Sequence, residues 1–123
     1  MSDANEFIAN LLMARLSHFA VGLAEALEKL PLPIALPRGE HINLVGEFRP
    51  AVARAYELVE DQPMPEDKKG EFIAVILFWL AASDLVIAYV HSGEDYRADA
   101  AILNIGFGEN ELADLLSWLS DQE

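Results

Sequence analysis

The chain has no cysteine, so it can form no disulfide framework and has no thiolate for catalysis or metal binding. It is also poor in bases: 8 Lys and Arg stand against 21 Asp and Glu, and no lysine follows Lys69. The few bases are scattered, which argues against direct nucleic-acid binding. No glycine-rich phosphate loop occurs, because Gly93, Gly106 and Gly108 are not followed by Lys-Ser or Lys-Thr. No serine has the context of a nucleophile elbow. The start, Met1-Ser2-Asp3, lacks the basic and apolar regions of a secretion signal. These absences lead to the expectation of a cytoplasmic protein without a cofactor, and not an enzyme.

What is present is acid and apolar bulk. Net charge is −13 and hydrophobic residues make up 53% of the 123, too many for a disordered acidic tail. One domain spanning 1–123 fits the length. The charge is uneven. Residues 1–70 hold 11 acids and 7 bases, whereas 71–123 hold 10 acids and one base, Arg97. Such a field repels nucleic acid and anionic membrane and attracts basic surfaces.

The pattern predicts an all-α fold, a compact four- to five-helix bundle around a buried apolar central helix at about 66–91. The first helix, about 4–30, carries Ile8, Leu12, Leu16, Phe19, Leu23, Leu27 and Leu30 on one stripe. Asp3 and Glu6 have the form of a capping box at its start. Pro31, Pro33 and Pro37 make 31–39 an extended connector. Residues 40–48 read equally as a short helix or a strand. Pro50 opens a second helix to about Glu60, with Val52, Tyr56 and Val59 inward. Residues 61–66 form a polar loop.

Phe72–Val90 has only Ser83 and Asp84 polar in 19 residues, long enough to cross a bilayer. Asp84 and the acidic flanks favour a buried core helix that ends at Gly93. Asp84 then needs a partner, and His91, Arg15 and Arg54 are the candidates. Ala74, Ala81 and Ala88 recur every seven residues and offer a strip for close helix approach, either within the bundle or at a homodimer seam. After Gly93, residues 95–105 make a fourth helix or a strand at ILNIGF. A last helix at about 110–120 carries Leu112, Leu115, Leu116 and Leu119.

Carboxylate pairs at i, i+3 occur as Glu25/Glu28, Glu57/Glu60 and Glu111/Asp114. All-α nucleotide pyrophosphohydrolases of the MazG type follow ExxE with ExxD. No such pair follows here, since Glu40-His41-Ile42-Asn43 ends in Asn. A small helical Mg²⁺-dependent hydrolase is therefore only an alternative. His91-Ser-Gly-Glu94 has metal-like spacing without a third ligand, so no metal is expected.

The acidic excess carries the functional expectation: a non-enzymatic module that inhibits a basic, nucleic-acid-processing protein by occupying its basic surface. In type it is similar to acidic, cysteine-free phage anti-restriction and anti-CRISPR inhibitors and toxin-immunity proteins. The candidate contact residues are Glu94, Asp95, Tyr96, Asp99, Glu109, Glu111, Asp114 and Trp118, with Asp121 and Glu123 beyond them. Tyr96 and Trp118 are the aromatic anchors. An acidic homodimeric chaperone or assembly subunit is the second expectation.

Overall fold

The computed structural model describes residues 2–39 and 41–122, and among these there is no strand. Four helices pack as a bundle: α1 (Asp3–Glu28), α2 (Arg49–Val59), α3 (Glu66–Ser92) and α4 (Asp95–Asp121).

The cap of α1 lies one residue earlier than the capping-box spacing predicts. Ser2 is the N-cap, and its hydroxyl accepts the Asn5 amide at 3.2 Å, so Asp3 already lies inside the helix. The helix ends at Glu28, yet Leu30, Ile34 and Leu36 continue the core along the proline-rich connector. Gln62, itself buried, fastens that connector. Its Oε1 accepts the Leu32 amide at 2.9 Å, and its Nε2 donates to the Leu32 carbonyl at 2.7 Å.

Of the two forms open for residues 40–48, the described part, 41–48, holds a short helix and not a strand. Leu44–Phe48 is a wide π-helical turn capped by the Asn43 side chain, in which Phe48 donates its amide to the Asn43 carbonyl at 3.1 Å. It runs directly into α2, where Pro50 occupies the first turn. The wide turn directs Phe48 inward, edge-on to Trp79 with ring centroids 5.0 Å apart. The inner face of α2 is Ala51, Val52, Ala55 and Val59; Tyr56 points outward instead. Small residues let α2 lie close to α3.

α3 is the central element and packs against the three other helices. Its inward row is Phe72, Val75, Ile76, Trp79, Ala82, Ser83, Val86 and Tyr89. Trp79 is fully buried, and its indole N–H donates to the Leu16 carbonyl at 3.2 Å. Tyr89 donates to Asn5 Oδ1 at 3.2 Å, which sets the end of α3 beside the start of α1. Gly93 stops α3 in the left-handed conformation at φ +69°, where a side chain is strained.

α4 is one helix of 27 residues, where the sequence predicted two. Gly106 and Gly108 read as helix stops, but both lie within it. Gly108 is there because α1 and α3 approach so closely. A Cβ at Gly108 would meet Phe19 Cε2 at 2.6 Å and Phe78 Cβ at 3.0 Å. Burial of Ala98, Ala101, Ile105, Leu112, Leu115 and Leu119 on the same face outweighs the propensity cost of two glycines, about 1 kcal/mol each.

Candidate functional site

The outer stripe of α4 is where the acidic expectation can be examined. At 100° per residue, Tyr96, Asp99, Leu103, Phe107, Asn110 and Asp114 fall within about 80° of arc. This arc lies opposite the buried row of α4, and all six residues are exposed. Tyr96 is 60% exposed, Leu103 59% and Phe107 57%. Asp99 and Asp114 have no ion-pair or hydrogen-bond partner among the described residues, and neither does Asp95 at the edge of the stripe.

The other expected contact residues are held differently. Glu109 turns toward α1, where it accepts from Arg15 at 3.0 Å. Glu94 accepts from Arg97 at 3.0 Å, and the Arg97 guanidinium lies 5.3 Å from the Tyr96 ring. Glu111 lies on the α3 side of α4, near Lys68. The Lys68 ammonium is held above the usual lysine range, first by its hydrogen bond to Glu71 and further by the charges of Asp67 and Glu111. Lys68 also sits 5.6 Å from the Trp118 ring. Trp118 helps line a groove of about 400 Å³ with Pro31, Pro63 and Pro65, some 33 Å along the helix from Tyr96. Asp121 is exposed on the extension of the stripe, and Glu123 lies outside the described residues.

Three of the eight expected residues, Tyr96, Asp99 and Asp114, are thus brought onto one stripe, with Asp95 at its edge. The structure adds Leu103, Phe107 and Asn110. The spacing 96-103-107-110-114 is helical throughout, a signal hidden by the expected break at Gly106 or Gly108.

Elsewhere the bases are spent within the chain. Seven of the eight are ion-paired to an acid, and Arg54 alone has no acidic partner among the described residues. Asp84 is exposed rather than buried, and its partner is Arg49, which also donates to Ser83 Oγ at 3.3 Å. His91, Arg15 and Arg54 are not its partners. Among the described residues, no three His, Asp or Glu side chains gather where a metal ion can be held. A second groove, about 430 Å³, lies between α1 and the 37–48 segment. Its lining includes Ser17, Ala20, Val21, Ala24, Arg38, Leu44 and Phe48; the Ser17 hydroxyl donates to the Met13 carbonyl at 2.8 Å, and no His, Asp or Glu is among the described lining residues.

Comparison with protein-family models, curated proteins and solved structures finds no match.

Proposed function

We propose that the chain is a non-enzymatic protein-binding module, which occupies a basic surface of a nucleic-acid-processing protein through the outer stripe of α4. The supporting observation is the composition of that stripe. Exposed Tyr96 and Leu103 stand between unpaired Asp95, Asp99 and Asp114 on one rigid helix. Apolar anchors amid charge are how interfaces concentrate binding energy. The carboxylates steer a basic partner, so association slows as salt rises. With seven of eight bases already paired internally, little positive field opposes that steering.

A pull-down from the native host lysate at low salt tests the reading, using wild type and two variants. One variant is Asp99→Asn with Asp114→Asn, and the other is Tyr96→Ser with Leu103→Ser. The expected result is one basic, nucleic-acid-acting protein retained by wild type and lost by both variants. An empty wild-type eluate, or the same proteins in all three, overturns it.

A further inference from the structure

The groove between α1 and the 37–48 segment has the size and lining of a small-molecule site. Its volume, about 430 Å³, falls within the range of about 300–1,000 Å³ usual for such sites. The buried Ala20, Ala24 and Phe48 make its base, and Val21, Ile42 and Leu44 its walls. Small Ala20 and Ala24 leave it open, whereas the neighbouring core positions Phe19, Leu23 and Leu27 carry large side chains. The wide turn at Leu44–Phe48 supplies one wall, and π-helical turns recur at functional sites.

We propose that this groove binds a small amphipathic anion, a single carboxylate on an unbranched hydrocarbon tail. Charge complementarity selects the head group. In a chain with 21 acids, the one charged side chain among the described lining residues is a base, Arg38. Its Nη2 meets Glu28 at 3.2 Å, while Nε and Nη1 have no partner among the described residues. The two side chains of that pair are 48% and 43% exposed, so the pair contributes little and yields readily to a second carboxylate. A carboxylate on the free edge of the guanidinium gains charge-assisted hydrogen bonds. Because the Ser17 hydroxyl already donates to the Met13 carbonyl, Arg38 is the lining side chain left to donate.

The walls select the tail. From Ser17 to Ala24 the groove follows α1 for about 10 Å, room for a tail of about eight carbons. A cation meets no carboxylate among the described lining residues, and a sugar-like ligand meets too few polar groups to replace its water. The net charge of −13 repels an anion at long range. At about 0.15 M salt that field is screened beyond about 8 Å, whereas the Arg38 contact is local. None of the lining residues belongs to the α4 stripe, so the site stands independently of the binding function above.

Titration calorimetry of the full chain at about 0.15 M salt tests this, with octanoate as the probe and octanol as its uncharged counterpart. One octanoate per chain should bind, about tenfold more tightly than octanol. Hexanoate should bind about tenfold more weakly than octanoate, since each buried methylene tightens binding about fourfold. Arg38→Gln should abolish the preference for octanoate over octanol. Val21→Glu places an acid on the groove wall at a position 66% exposed, so the fold and its helical circular dichroism should be unchanged. It should weaken octanoate about tenfold and leave octanol nearly unaffected. Absence of saturable octanoate binding overturns the proposal. So does octanol binding as tightly as octanoate, or octanoate binding that neither variant alters, which places the ligand elsewhere on the chain.

Discussion

The inner and outer faces of the α3–α4 hairpin are built from similar residue types and behave differently. Inside, Trp79, Tyr89 and Phe72 are sealed, and Gly108 is present because Phe19 and Phe78 leave no room for a Cβ. Outside, Leu77, Leu103 and Phe107 stand about half exposed beside alanines and aspartates. Both faces are apolar in composition. What separates them is complementarity: the inner face meets a shaped surface from α1 and α2, and the outer face meets none in its own chain. Hydropathy measures the first property and is silent on the second.

The largest test of this contrast pairs one residue from each side. Trp79→Ala should cost about 3–5 kcal/mol, through lost transfer energy and an unfilled cavity. Leu103→Ser should change stability by less than about 0.5 kcal/mol. Urea denaturation of both reads the difference, and similar midpoints would erase the distinction between the faces.

The glycines of α4 give a smaller effect with opposite signs. Gly108→Ala gains about 1 kcal/mol of helix propensity but forces its Cβ into the buried Phe19, and overpacking of this kind costs about 1–3 kcal/mol. A net loss is expected. Gly106→Ala meets nothing within 4 Å and should gain up to about 1 kcal/mol. Thermal unfolding distinguishes the two, and a gain at both positions would show that the inner seam is looser than its distances imply.

Two amphipathic or apolar helices, α1 and α3, were legible because their hydrophobic positions repeat without interruption. α4 was not, because a glycine placed for helix–helix proximity has the same letter as one placed for a stop. That ambiguity also hid the site, since Leu103 and Phe107 join Tyr96 on one stripe only if the helix runs through Gly106 and Gly108. The acids were legible as a charge excess but not as individuals. Glu109 and Glu94 are claimed by Arg15 and Arg97, and for Glu109 the contact spans 94 positions that no local pattern encodes. Tyr56 failed in the opposite way: its spacing from Val52 and Val59 suggests the core of α2, but the buried arc is centred on Ala51, Val52, Ala55 and Val59, and Tyr56 falls about 40° beyond its edge.

The smallest expected effect concerns the charge at the edge of the outer face. Asp84 is 60% exposed at its side chain, so Asp84→Asn should cost less than about 1 kcal/mol, and the difference should shrink in high salt. A larger loss, or one indifferent to salt, would mean that Asp84 belongs to the packed side of the hairpin.

The wide turn at Leu44–Phe48 makes chain length a rotational setting. One residue fewer would tighten it to α geometry and swing the preceding segment about 100° around the axis of α2. Phe48 holds its place against Trp79, so the mismatch would fall on the connector, whose Leu32 is fastened to Gln62 and whose Ile34 and Leu36 are seated in the core. Substituting the exposed Val45 leaves that geometry alone, while deleting Gly46 beside it does not. Here the number of residues carries structural information that their side chains do not.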